Sequence, residues 1–147
     1  MFLYLQNIFG FFEKIEIIVP LFEKTLLEKG KKEEFYDGKQ IICLYSIFCN
    51  YCKFAAAKLH LLLKNNNLSV ENIKVIFWDG TPDVEIIEFF SEQNIYLPEY
   101  TTFPAETFLT ITKGKMPVFL FSDNGTIVFK ADYITLNEKE VINFFQK

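Results

Sequence analysis

The sequence predicts an α/β fold in which helices flank a central mixed β-sheet, with a helical extension at the N-terminus. Two apolar runs, at 40–46 and 73–78, have the length of buried strands, and a helical pattern lies between them. Strands joined by a helix pair in parallel through a right-handed crossover. A later apolar segment, 118–130, is interrupted by Asp-Asn-Gly, which is typical of the turn of an antiparallel hairpin. Parallel and antiparallel pairs together predict a mixed sheet.

The composition indicates one globular domain with ample apolar material for a core. The chain has 147 residues, of which 50% are hydrophobic and 18 are phenylalanine. We assign 1–35 to the helical extension, packed on the domain, and 36–147 to the domain itself, and we expect a monomer. The net charge is −4 and all 15 cations are lysines. Because recognition of phosphates and base edges usually employs arginine, a nucleic-acid partner is disfavoured.

The first segment, Met1–Phe12, is rich in Phe, Leu and Ile. It lacks the basic region and cleavage site of a signal peptide, and no stretch of the chain reaches the ~18 apolar residues of a membrane span. We interpret it as a docking segment or amphipathic helix on the domain, and the alternative is the remnant of a membrane-proximal linker. Residues 13–29 have helical spacing interrupted by Pro20, which predicts a broken helix, or a linker followed by a helix.

The pair Cys49 and Cys52 lies between the first predicted strand and a helical pattern over 53–64. At a helix N-terminus, unpaired backbone N–H groups and the helix dipole favour thiolate over thiol at the first cysteine. The thiolate is the species that attacks a disulfide, and the second cysteine, one turn along, can close an internal disulfide. This arrangement predicts dithiol chemistry.

The helix over 53–64 ends in three consecutive asparagines. We predict that Phe54, Ala57 and Leu61 lie on its buried face. His60 lies roughly 16 Å from the first cysteine along a straight helix, so it cannot act as a base for the dithiol.

The next helix follows the second strand. Thr81 is predicted to be its N-cap and Pro82 its first residue. We expect the helix to reach about Asn94, with inward positions that include Val84, Ile87 and Phe90.

The segment 95–115 contains many aromatic residues and a short predicted helix over 104–111. Aromatic residues in such a segment usually cover a core, and they can also line a site. Met-Pro at 116–117 then opens the first strand of the hairpin. The last helix has Asn137 at its N-cap and Glu140 three residues later, which is a capping-box pattern.

A Cys-x-x-Cys pair after a buried strand, with Met-Pro before a later hairpin, resembles the thioredoxin fold over 36–147. More closely, Ser-Ile-Phe-Cys-Asn-Tyr-Cys-Lys-Phe-Ala-Ala at 46–56 and Thr-Lys-Gly-Lys-Met-Pro-Val at 112–118 resemble thioredoxin-like domains of bacterial envelopes. These include TlpA-like domains and domains that accompany membrane redox proteins of the DoxX or MauE type.

The resemblance implies a role for each residue of the motif. Cys49 would be the exposed nucleophile and Cys52 the buried resolving cysteine. Pro117 would be the cis-proline beside the disulfide, and the backbone of Met116 would face an extended substrate. The substrate-binding residues would then be Met116, Pro117, Phe48 and Tyr51.

Two positions depart from the family pattern. Thioredoxins carry a buried carboxylate six residues before the first active cysteine, where this chain has Cys43, and a neutral thiol cannot replace a carboxylate at ordinary pH. Phe48 stands where thioredoxins usually have tryptophan. These differences bear on proton transfer and partner choice. We expect Cys43 to be a small buried apolar residue.

The sequence therefore predicts a thiol-disulfide oxidoreductase that reduces or exchanges protein disulfides. The alternative is a redox-inactive binding module that docks a partner through the aromatic segment 95–108. No cofactor or metal is expected, because Cys43 and His60 do not complete a zinc site with the pair.

The expected partner is a protein thiol or disulfide, or a membrane redox protein. The resemblance implies the bacterial cell envelope or periplasm, with possible membrane association. The cytoplasm is the alternative, because the chain shows no signal peptide.

Overall fold

The computed structural model describes residues 18–146. The interpretation of Met1–Phe12 therefore lies outside the described residues, as does the part of 13–29 before residue 18. The elements, in chain order, are α1 (residues 18–28), α2 (Lys32–Phe35), β1 (Lys39–Leu44), α3 (Asn50–Asn65), a 3-10 turn (Val70–Asn72), β2 (Ile73–Trp78), α4 (Asp83–Ser91), β3 (Glu99–Phe103), α5 (Ala105–Thr112), β4 (Val118–Asp123), β5 (Thr126–Ala131) and α6 (Glu138–Gln146).

The five strands form one mixed sheet in the order β3-β2-β1-β4-β5. β1 pairs in parallel with β2 and antiparallel with β4, and β5 completes the hairpin. Cys43, on the central strand, lies opposite Val75 on one side and Phe119 on the other. The predicted mixed sheet, with its parallel pair and its hairpin, is confirmed.

β3 was missed by the sequence analysis. It is an edge strand that pairs in parallel with β2, with Trp78 opposite Phe103. Only Thr101 and Phe103 of its five residues are buried, so it lacks the nearly continuous burial and the mostly apolar sequence of β1 and β2. The helix predicted next in the chain is confirmed as α5.

The two faces of the sheet carry separate cores, because alternate residues of β1 point in opposite directions. Ile41, Cys43 and Tyr45 face the helices α3, α4 and α6. Ile42 and Leu44 face α1 and α5. On that side α1 buries Ile18, Phe22 and Leu26. The helix α1, which includes Pro20, thus packs on this face of the sheet.

The predicted buried face of α3 is wrong. Phe54 and Leu61 are 59% and 54% exposed, and Ala57 is only partly buried. The helix is apolar nearly all round, so two faces matched the helical period equally well. The face that packs on the sheet carries Cys52, Ala55, Ala56, Leu59 and Leu63.

The predicted start of α4 is also wrong, as are two of its three predicted inward positions, whereas Phe90 is buried as predicted. The Thr81 hydroxyl donates to the carbonyl of Trp78 at 2.8 Å and makes no cap, while Pro82 occupies the N-cap position. Val84 and Ile87 are exposed, because apolar residues occupy more than one side of α4 and a different side packs on the core. The buried residues of α4 are Ile86, Phe89 and Phe90, and the helix ends at Ser91.

The hairpin turn and the cap of the last helix are confirmed. Asn124 and Gly125 both have positive φ, at 50° and 86°, as a type I′ turn requires. The Asn137 Oδ1 accepts a hydrogen bond from the backbone N–H of Glu140 at 2.9 Å, which caps α6.

Candidate functional site

The cysteine pair lies where β1 passes into α3. β1 ends in the buried centre of the sheet, and the chain turns through residues 45–48 before Cys49 takes the N-cap position of α3. The Cys49 Sγ is partly exposed and accepts a hydrogen bond from the backbone N–H of Cys52 at 3.3 Å. An N–H donor at a helix N-terminus can stabilise the negative charge of a thiolate sulfur. The more accessible sulfur of the pair therefore occupies the position suited to a nucleophile.

Cys52 lies beneath Cys49 and is fully buried. Burial raises the pKa of the Cys52 thiol, and the hydrogen bond from the Ser46 backbone N–H, at 3.5 Å, opposes this only in part. Both cysteines are free thiols in this structure. The two sulfurs thus differ in access, and burial favours the protonated form of the Cys52 thiol.

The loop between α5 and β4 brings Pro117 to the pair. The Met116–Pro117 peptide bond is cis. The Cys49 thiol points at the carbonyl oxygen of Met116, with 3.7 Å between sulfur and oxygen. Pro117 is buried and Met116 is partly exposed. The structure therefore brings together four of the six residues chosen from the sequence for the site, including one pair from a distant part of the chain.

The other two chosen residues, Phe48 and Tyr51, surround Cys49 with exposed aromatic surface. Their side chains are 79% and 62% exposed. The ring of Tyr51 lies against that of Tyr133, with 5.6 Å between centroids. Next to Tyr133, Ile134 is among the most exposed apolar residues.

Tyr133 and Ile134 were missed by the sequence analysis, which left the β5–α6 connection without a role. The Asp132 carboxylate shapes this connection by accepting the backbone N–H groups of Ile134 and Thr135 at 2.9 and 2.8 Å. These hydrogen bonds, the Thr135 one first, lower the pKa of Asp132. An aspartate followed by threonine three residues later is a sequence sign of such a turn.

Cys43 lies in the core, as expected from the sequence. Burial raises the pKa of its thiol to about 12, although a hydrogen bond with Tyr45 acts in the opposite direction. Tyr45 is also fully buried, and its ring contacts those of Phe77 and Phe119. Cys43 therefore stays neutral at ordinary pH and supplies no charge near Cys52.

Two acids, Asp79 and Glu106, and the one histidine of the chain, His60, are not part of the Cys-x-x-Cys motif. Asp79 accepts a hydrogen bond from Thr102 and forms an ion pair with Lys29 at 2.9 Å, and these contacts lower the pKa of Asp79. Glu106 is exposed on α5, and His60 is half-buried on α3. Among residues 18–146, no group of three or more His, Cys, Asp or Glu side chains is arranged to hold a metal ion.

The aromatic segment 95–108 is divided between core and surface. Phe103 and Phe108 are fully buried and belong to the core beneath α1 and α5. Tyr96 is 79% exposed and Leu97 is at the surface. Two of the four aromatic side chains offered for docking in this segment, Phe103 and Phe108, are therefore buried, whereas Tyr96 is exposed and Tyr100 is partly exposed. Within the described part of the chain, no helix has the length and apolar character of a membrane span.

No family model and no curated protein matches this sequence. Solved structures do match it. A secreted disulfide oxidoreductase of Mycobacterium tuberculosis, homologous to DsbE of E. coli, is similar with a TM-score of 0.53 and 14% identity, over 74% of this chain and 81% of that one. The thioredoxin domain of a thiol-disulfide oxidoreductase of Bacteroides vulgatus is similar with a TM-score of 0.56 and 13% identity, over 78% and 81%. A thiol:disulfide interchange protein of Bacteroides sp. has a TM-score of 0.53 and 14% identity, over 78% of each chain.

These similarities and the sheet order establish the class of fold. The chain has the thioredoxin-like fold, as the sequence predicted, and its Cys-x-x-Cys pair begins the helix that follows the central strand. Since one fold can carry many functions, the activity has to be argued from the site itself.

Proposed function

We propose that this protein is a thiol-disulfide oxidoreductase that uses Cys49 and Cys52 to reduce or exchange protein disulfides. The observation that carries the proposal is the asymmetry of the pair. Cys49 is accessible, capped by a backbone N–H and turned towards the Met116 carbonyl, whereas Cys52 is buried directly beneath. An exchange reaction needs one sulfur for the substrate and a protected second sulfur for resolution.

The reaction runs in two exchanges. The Cys49 thiolate attacks a substrate disulfide, a Cys49–substrate disulfide forms, and one substrate thiolate leaves and takes up a proton. Cys52 then loses its proton and attacks the Cys49 sulfur, so that the Cys49–Cys52 disulfide forms and the second substrate thiolate leaves. The substrate gains two electrons and the protein loses two, and an external dithiol must reduce the pair again. With the opposite redox poise, the same steps run in reverse and oxidise substrate thiols.

The four proposed substrate-binding residues line the approach to Cys49. An extended substrate segment would lie against the backbone of Met116 and over Pro117, because the Met116 carbonyl already lies beside the Cys49 sulfur. Phe48 and Tyr51 would contact its side chains, and both are exposed for this purpose.

We propose a protein thiol or disulfide as the partner, or a membrane redox protein, and the bacterial cell envelope as the location, with this chain acting as a monomer. The support for the location is the likeness of the fold to a secreted oxidoreductase and the resemblance of segments 46–56 and 112–118 to envelope domains.

Insulin reduction with dithiothreitol as electron donor tests the proposal. We expect the wild-type chain to accelerate reduction and Cys49→Ser to lose the acceleration. Cys43→Ala is the matched control, because it removes a cysteine that lies outside the exchange, and it should keep the activity. Equal rates for wild type and Cys49→Ser would contradict this proposal and leave the redox-inactive binding module as the alternative.

A further inference from the structure

The outer side of α3 carries an apolar stripe with no covering element in the described part of the chain. Its members are Tyr51, Phe54, Ala57 and Leu61, which follow one another at helical spacing. Tyr51, Phe54 and Leu61 are between 54% and 62% exposed, and Ala57 is half-buried. A helix that is apolar on both sides is usually buried on both sides. The opposite side of α3 packs on the sheet, so the outer stripe has no covering element among residues 18–146.

The stripe is continuous with the candidate site. Tyr51 belongs to the Cys-x-x-Cys sequence, and Leu61 lies about 15 Å further along the helix. From Cys49 to Leu61 the distance along α3 is about 18 Å, which about six extended residues span. A chain whose cysteine reacts with Cys49 can therefore reach the whole stripe.

The charges of α3 differ from those of the chain as a whole. The chain has 19 acidic residues and 15 lysines, whereas α3 contains three lysines, one histidine and no carboxylate. Lys53 and Lys64 lie on one side of the stripe and Lys58 on the other, as helical spacing dictates. Lys53 shares a long, exposed ion pair of 3.7 Å with Glu92, and Lys58 donates to the Leu136 carbonyl. The helix thus presents apolar surface edged by positive charge.

We infer that the outer face of α3 is a docking surface for the partner protein, and that it selects disulfides or thiols whose neighbouring residues are apolar and acidic. This inference rests on the proposed function, because the partner is held through its reaction with Cys49. Apolar side chains of the partner cover Phe54 and Leu61, and its carboxylates meet the lysines at the edges. Small hydrophilic disulfides make no such contacts with this surface, so it does not accelerate their reaction with Cys49.

Three synthetic peptides test the inference with full-length Cys52→Ser protein. Each has one central cysteine that carries a thionitrobenzoate disulfide and six residues on either side. The first has flanks of Leu, Phe and Asp, the second replaces Leu and Phe by Ser and Gly, and the third replaces Asp by Lys. Attack by Cys49 forms the Cys49–peptide disulfide and releases coloured thionitrobenzoate, so the release gives the rate. Each rate is divided by the rate at which glutathione attacks the same peptide, which removes differences in intrinsic reactivity between the peptides.

We expect the first peptide to react about tenfold faster than the second, which corresponds to partial burial of one or two large side chains. The third should fall between them. Phe54→Gln with Leu61→Gln should reduce the preference to about twofold or less, whereas Val84→Gln, at a more exposed apolar position on α4, should keep it. Far-UV circular dichroism checks that the variants are folded.

Equal rates for the first two peptides, or a preference that survives the α3 variant, would overturn the inference. The inference would also be overturned if the stripe bound something else and the peptides showed no preference. Binding to a membrane would appear as co-sedimentation with phosphatidylglycerol vesicles, and binding to a second copy as dimers in sedimentation velocity. Either would be lost in the α3 variant. The proposed function fails separately, if Cys49 does not react even with free dithiobis(nitrobenzoate).

Discussion

The Sγ of Cys49 lies 3.7 Å from the carbonyl oxygen of Met116, although the two residues are 67 positions apart in the chain. The fold makes this contact, because β1 and β4 are neighbours in the sheet and the loops at their adjacent ends meet. The nucleophile proposed from one motif therefore faces the loop proposed from the other.

The resolving step should accelerate with rising pH. Burial raises the pKa of Cys52, so its reactive thiolate is a minor species near neutrality, and its fraction grows about tenfold per pH unit below that pKa. Stopped-flow measurement of Cys49–peptide disulfide decay in the wild-type chain, between pH 7 and 9, should show this rise. A rate independent of pH would mean that a group other than the solvent takes the proton from Cys52.

The reduced protein should lose stability in alkali. The pKa of Cys43 is about 12 in the folded chain, above its ordinary value, so this thiol ionises earlier when the chain unfolds. Its stabilising effect is complete below the unfolded pKa, near 8.5, and is lost as the pH rises towards 12. Urea unfolding midpoints at pH 8 and pH 11 should show a smaller loss for Cys43→Val than for wild type. An equal loss of stability in wild type and Cys43→Val would contradict the raised pKa of Cys43.

Truncating a core aromatic residue should be far more harmful than truncating its neighbour on the same helix. Phe108 is fully buried on α5, and Leu109 is 47% exposed. We expect Phe108→Ala to lower the free energy of unfolding by about 3–5 kcal/mol. Leu109→Ala, the matched control, should change it by less than about 1 kcal/mol. Denaturant unfolding measures both, and similar losses would mean that α5 does not pack as described.

Two glycines separate backbone strain from a steric clash. Gly125 and Gly114 both have positive φ, so alanine strains the backbone at either position. At Gly125 a Cβ would also lie 2.9 Å from the Tyr36 ring, whereas nothing lies within 4 Å at Gly114. Gly125→Ala should therefore destabilise the chain by about 1 kcal/mol more than Gly114→Ala. Thermal unfolding of the two variants provides the comparison, and equal losses would contradict the packing of Tyr36 on the hairpin.

The elements with a single strong pattern could be predicted from the sequence. β1 and β2 are mostly apolar and nearly continuously buried, and the hairpin has an Asn-Gly turn, so these strands and their pairing could be predicted. β3 could not be found in this way, because an edge strand buries few residues and here two prolines bound it. The faces of α3 and α4 failed because apolar residues occupy more than one side of each helix, and only the tertiary structure decides which side packs.

The candidate site was predictable where residues adjacent in sequence carry it. Cys49 and Cys52 form one motif, and Pro117 follows from a second. Tyr133 and Ile134 lie in a connection with an ordinary composition, and only the tertiary structure places Tyr133 beside Tyr51. Local sequence patterns cannot indicate a contact made between the ends of non-adjacent elements.

The central claim is that Cys49 is the sulfur that exchanges with substrate, and its most direct test is the site of glutathione addition. Cys52→Ser protein is incubated with oxidised glutathione and digested, and the modified cysteine is identified by mass spectrometry. The account predicts one glutathione on Cys49, none on the buried Cys43, and loss of the adduct in wild type, where Cys52 expels it. An adduct on Cys43, or no adduct on Cys49, would contradict the account.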